Sequence, residues 1–124
     1  MNALFNAVRH SMQGLPEEVA PGVLEASFLF AETFAGFDGH FPGNPIVPGI
    51  AQIMAAVQTA SPDGSFRLRR VSRGKFTGMV RPGEAMLVRA VVREAGQTGE
   101  QLQVAADCVT ANGPCARLKL VLER

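Results

Sequence analysis

The sequence predicts an α+β fold in which a curled antiparallel sheet wraps around one central helix. Three observations carry this. Residues 49–60, G-I-A-Q-I-M-A-A-V-Q-T-A, are apolar on almost every side, the mark of a helix buried all round. Four segments alternate apolar and polar residues at period two, the mark of strands with one buried face. The order is one strand, one helix, then consecutive strands joined by short turns, which suits an antiparallel sheet solvated on one side.

Each element has its own signal. Leu4, Ala7, Val8 and Met12 lie at helical spacing, so residues 1–13 hold a short amphipathic helix that ends near Gly14 and Pro16. His10 reads as a surface histidine. In residues 22–30, Leu24, Ala26, Phe28 and Phe30 share one face against Glu25 and Ser27. The helix at 49–60 is stopped by Ser61-Pro62-Asp63-Gly64. Strands are then expected at about 65–72, 74–81, 85–94, 101–110 and 115–122. Met86, Val88, Ala90 and Val92 form one inner row. Leu102, Val104, Ala106 and Cys108 form a second, and Ala116, Leu118, Leu120 and Leu122 a third. Gly96–Gly99 and Asn112–Pro114 are the hairpin turns.

The chain has 124 residues, enough for one domain, 1–124, with one core. Its formal net charge of +1 gives no global reason to bind nucleic acid or membrane. Trp and Tyr are absent, which removes the usual stacking platform for bases. The first residues hold no long apolar run, and Ile46–Val57 is too short to span a bilayer, so a cytoplasmic protein is expected. Cys108 and Cys115 flank a turn. Their spacing allows a cross-strand bridge, but reduced thiols are the expectation. No metal-ligand cluster is evident, and no cofactor is expected.

Gly39–Gly49 reads G-H-F-P-G-N-P-I-V-P-G. Proline fixes φ and glycine permits strained backbone, so this loop is built to hold one shape. It carries a histidine, which titrates near neutral pH, and feeds directly into the buried helix. Gly39, His40, Phe41, Pro42, Pro45, Ile46, Pro48 and Gly49 resemble the motif of the (3R)-hydroxyacyl-acyl-carrier-protein dehydratases, enzymes with the hot-dog fold. The similarity extends to Lys75-Phe76 and Arg81-Pro82-Gly83-Glu84, and more weakly over residues 15–122; the first thirteen residues do not match the family's usual opening.

The resemblance implies a base at His40 and a thioester-polarising helix start at Gly49. The free amides of Gly49 and Ile50, with the helix dipole, suit that second role. It also implies an apolar substrate pocket that includes Phe41, Ile46, Val47, Ile50 and Met54. The family's catalytic Glu or Asp lies fourteen residues after the histidine, and here that residue is Met54. A thioether donates no proton. A positioned general acid is worth roughly 10² to 10⁴ in rate, or ~3–5 kcal/mol. Gln58, one helical turn on, can orient a water but does not replace an acid.

Arg67, Arg69, Arg70, Arg73 and Lys75 form a basic strip without an intervening acid, suited to docking an acidic acyl carrier protein. The family dimerises edge to edge, which implies a homodimer or larger. Each site there takes its histidine and carboxylate from different chains. The sequence therefore predicts a dehydratase acting on β-hydroxyacyl thioesters and weakened by the missing acid. The alternative is a non-catalytic or half-catalytic subunit completed by a Glu-bearing paralogue. A hot-dog thioesterase ranks third: it wants a carboxylate or activated water near the thioester carbon, and Asp38, which adjoins the loop, reads as a turn residue beside Gly39.

Overall fold

A computed structural model describes residues 3–34 and 46–124 of the chain. The loop residues Gly39, His40, Phe41, Pro42 and Pro45, and Asp38, fall outside them. Two helices, α1 (Ala3–His10) and α2 (Gly49–Ala60), join six strands. These are β1 (Glu17–Ala20), β2 (Val23–Leu29), β3 (Arg67–Phe76), β4 (Ala85–Ala95), β5 (Gln101–Thr110) and β6 (Gly113–Glu123). They form one sheet in the order β1-β2-β4-β5-β6-β3, with antiparallel pairing throughout. Helix α2 lies against its inner face, which is the hot-dog arrangement.

The alternating rows explain the burial. Ala26 and Phe28 on β2, Met86, Val88 and Ala90 on β4, Leu102 to Cys108 on β5 and Ala116 to Leu122 on β6 supply the inner face. Ala51, Ala55, Ala56, Val57 and Ala60 of α2 join the same core. Small side chains let the helix axis approach the sheet closely. Phe30 stacks over Phe28 at 6.3 Å between centroids and meets Phe34 edge-on at 4.8 Å. That aromatic row closes the core where β2 ends.

Three details depart from the sequence reading. β1 was not expected, since E-E-V-A has no buried face and every residue of it is exposed. The two strands expected at 65–72 and 74–81 are one strand, β3. Its register against β6 shifts between Leu68 and Arg70 and again between Val71 and Arg73. These bulges reset the phase of the alternation without ending the strand. After Phe76 the chain leaves the sheet: Thr77 and Gly78 N–H both donate to the Cys115 carbonyl. Gly78 packs so tightly there that a Cβ would stand 2.8 Å from the Pro114 carbonyl oxygen. Finally, α2 is not covered all round. Ile50 is 47% exposed, and Ile53 and Met54 are half-buried.

The Phe28 ring is fully buried at the centre of this core. Phe28→Ala should therefore destabilise the fold by about 3–5 kcal/mol, read as a lowered midpoint in chemical denaturation. A loss below 1 kcal/mol would show that the ring does not anchor the core.

Candidate functional site

The site begins where α2 begins. Pro48 occupies the N-cap position in extended conformation and offers no side-chain cap. Its carbonyl accepts from the Ala51 and Gln52 amides at 3.0 and 3.3 Å. The Gly49 and Ile50 amides have no acceptor among the described residues. They are the first donors of a twelve-residue helix, on its positive end. A developing oxyanion suits such donors.

The ring of Phe76 lies across this helix start. A Cβ on Gly49 would stand 2.9 Å from the ring's Cζ and 3.1 Å from a Cε. Glycine at residue 49 thus leaves room for the half-exposed ring, which a side chain would displace, and is not there for a left-handed φ. Ile46 is half-buried just before the helix. Val47 belongs to the core, and its amide donates to the Val80 carbonyl at 2.7 Å.

An open groove of about 470 Å³ runs along the uncovered side of α2. Ile50, Met54 and Gln58 line it from the helix, Phe5 and Met12 from the α1 region and Phe66 from the approach to β3. Its wall is predominantly apolar, as an acyl chain requires. Among the described residues that line it, none is acidic. Glu25 instead faces Arg89 across the sheet at 3.7 Å. Glu84 accepts from the Arg81 amide at 2.8 Å and from Asn112 at 2.9 Å. Both carboxylates are engaged away from the groove.

Gln58 is buried, with 4% of its surface exposed. Its Nε2 donates to the Phe5 carbonyl at 2.8 Å, so α1 fixes the orientation of the amide. Its Oε1 has no partner among the described residues. Sequence reasoning placed Gln58 near the acid position but missed this tie to α1. The two residues are 53 apart, and nothing local signals the pairing.

The basic strip lies on the opposite side of the sheet from α2. Arg67, Arg70, Arg73 and Lys75 pair with the outward residues Glu123, Val121, Lys119 and Arg117 of β6. Arg69 reaches the same face, where its Nη1 meets Glu123 Oε2 at 3.0 Å. The whole strand is exposed.

Cys108 and Cys115 are free and buried, and the Cys115 thiol donates to the Cys108 carbonyl at 3.2 Å. Burial pushes Cys108 up to about 12 and Cys115 up to about 11. Neither thiol is a thiolate near neutrality, so neither serves as a nucleophile there. Among the described residues no group of His, Cys, Asp or Glu side chains is placed to hold a metal ion. Nor is any helix among them long and apolar enough to cross a membrane.

Residues 17–113 match the family model for ApeI-like proteins, described as ApeI dehydratase. The chain belongs to the ApeI-like dehydratase family. Two curated relatives are 3-hydroxyacyl-acyl-carrier-protein dehydratases named FabZ. That of Lactiplantibacillus plantarum is 34% identical over 56% of this chain and 54% of its own. That of Rickettsia africae is 35% identical over 45% of this chain and 46% of its own. The chain thus spans about half the length of the curated relatives it matches. Among solved structures, the dehydratase heterocomplex ApeI:P from Xenorhabdus doucetiae is 26% identical, with a TM-score of 0.66, over 88% of this chain and 94% of that one. The E. coli PaaI protein, at 12% identity and a TM-score of 0.67 over 98% and 88%, shares the fold.

Two measurements probe this ApeI-like site. Gly49→Ala and Phe76→Leu should be coupled in a double-mutant cycle by ~0.5–3 kcal/mol, because the methyl and the ring compete for one space. Additive effects would separate the ring from the helix start. The raised thiols act on stability in the alkaline range. A folded-state value above the ordinary 9.0 means that the folded form holds its protons longer. Their contribution is complete below about pH 9 and is lost as pH rises toward 11 to 12. Cys108→Ala should flatten the fall in melting temperature between pH 9 and 11, and an unchanged slope would assign that fall to other groups.

Proposed function

We propose that this chain is the histidine-bearing half of a hot-dog dehydratase acting on β-hydroxyacyl thioesters in fatty acid or related acyl-chain synthesis. It dehydrates such a substrate slowly when no second, acid-bearing subunit is present. The observation that carries the reading is Met54. It lines the apolar groove at the helix position where the resembled family keeps its acid, and among the described residues no carboxylate lines that groove.

In the proposed reaction the Gly49 and Ile50 amides receive the thioester oxygen. His40 takes the proton α to the carbonyl, and negative charge develops on that oxygen. Collapse of the enolate expels the β-hydroxyl, which needs a proton from an acid to leave as water. Met54 has no proton to give. A subunit with Glu or Asp at the corresponding helix position supplies it. The uncovered flank of α2 and the free β3 edge are where a second subunit fits. The neighbouring ApeI:P structure, itself a dehydratase heterocomplex, supports that assembly. An acyl carrier protein is the proposed source of the substrate, docking on the basic strip of Arg67, Arg69, Arg70, Arg73 and Lys75.

The test is hydration of a crotonyl thioester followed by absorbance. Wild type alone should be slow or inert. Met54→Glu should be faster by at least ~10-fold, and the double variant with His40→Ala should lose that gain. The carboxyl would sit in an apolar groove that raises its pKa, which keeps it protonated for the role. A wild type that already hydrates as fast as Met54→Glu would sink the half-site reading.

A further inference from the structure

The free edge of the sheet carries a charge pattern that bears on which subunit pairs with it. β3 ends the strand order, spans ten residues and is exposed along its length. The opposite edge, β1, has only four residues. On the inner side of β3 stand Leu68, Val71 and Phe76, all exposed and continuous with the bare flank of α2 at Ile50. These apolar groups call for a cover. On the outer side stand Arg67, Arg69, Arg70, Arg73 and Lys75, with Ser72 the one uncharged residue among them.

The two bulges produce this sorting. Strict alternation from Leu68 would turn Arg70 and Ser72 inward. The register shifts after Leu68 and after Val71 return Arg70 and Arg73 to the outer row. Only Arg69 in the row has a carboxylate partner among the described residues. Behind it lie Lys119, beside Arg73, and Arg93, whose guanidinium is bonded to Gln103 at 2.6 Å. Nine basic side chains thus stand on the outer face of the sheet, namely the five of β3 with Arg89, Arg93, Arg117 and Lys119. They face four acidic ones, Glu17, Glu25, Asp107 and Glu123. The whole chain has twelve basic and eleven acidic residues, so the rest holds three against seven. A net charge of +1 conceals a strongly basic edge.

We infer that the β3 edge selects a partner subunit whose own edge strand is acidic, and disfavours pairing with a second copy of this chain. The inference rests on the half-site reading only in taking the partner to be another hot-dog subunit. Continuing the sheet keeps the apolar sides together, so the outer rows of both strands meet. In an antiparallel self-pair the row of cations on one strand would lie along the row of cations on the other. Like charges across a strand pair are destabilising, and charged, bulged edges are a recognised guard against edge-to-edge association. An acidic edge strand turns the same row into cross-strand ion pairs and still buries Leu68, Val71 and Phe76. The basic row then sets which subunit joins, and the joined subunit brings the acid that Met54 does not supply.

The chain itself provides the test. The variant Arg67→Glu/Arg69→Glu/Arg70→Glu/Arg73→Glu/Lys75→Glu reverses the whole row and changes only exposed side chains, and circular dichroism checks its fold. In low salt, sedimentation should show wild type and this variant each self-associating weakly. Their equimolar mixture should dimerise at least ~10-fold more tightly than either alone, and salt should erase the difference. The milder Arg70→Gln/Arg73→Gln variant should self-associate more tightly than wild type. A wild-type dimer that is tight at low salt and indifferent to added salt would overturn the inference, as would a mixture no tighter than its components. Crotonyl thioester hydration stays slow in every mixture, since both chains carry Met54. Failure of the edge inference and failure of the half-site reading are therefore scored separately.

Discussion

The close seat of α2 on the sheet is the constraint on which the rest depends. Ala51, Ala55, Ala56 and Ala60 present almost no bulk, so the helix sinks onto Phe28, Met86, Val88 and the leucines of β6. That seat fixes the direction of the helix start. It brings Gly49 against the Phe76 ring and aligns Met54 and Gln58 along one open groove. Larger residues at the four alanines would lift the helix and move the amides and groove together. Chemistry and packing are thus coupled through the sheet-facing side of one helix, while its other side is left for a neighbour.

The ends of α2 show how few polar contacts hold this arrangement. At its start the cap is a proline, which satisfies no amide with its side chain. At its end Ser61 takes over: its backbone amide bonds the Val57 carbonyl, and its hydroxyl accepts from the Phe66 amide. Asp63 gathers the Ser65 amide and hydroxyl at 3.0 and 2.8 Å, and those bonds hold its carboxyl below the usual range. The helix is tightly finished at its C-terminus and left unfinished at its N-terminus. Among the described residues the Gly49 and Ile50 amides keep no acceptor, at the end where the proposed reaction places the thioester oxygen.

Much of this was legible in the residues. The run from Gly49 to Ala60 has no polar face, so its helix was read with both limits correct. The inner rows of β4, β5 and β6 follow strict alternation and were equally plain. β3 was not, because R-L-R-R-V-S-R-G-K-F spaces Leu68, Val71 and Phe76 by three and then five. A period-two reading breaks there, and only pairing with β6 reveals that bulges absorb the mismatch. At the site, the substitution at Met54 was visible because the surrounding motif sets the count. The link from Gln58 to Phe5 was not visible, since a long-range side-chain bond to a backbone carbonyl leaves no local pattern. Histidine 40 and its loop lie outside the described residues, so their roles stand as proposals.

The bulged, basic β3 edge has a consequence for the life of the chain before assembly. A long strand with an exposed apolar row is a template on which copies of the same chain can stack into aggregates. Each freshly made molecule passes through a period when that strand is bare. Its cations keep identical chains apart during that period, and each bulge interrupts the flat run that stacking needs. The same residues that the edge proposal makes selective also guard solubility, and a substitution that neutralised them would show its first effect in the yield of soluble protein.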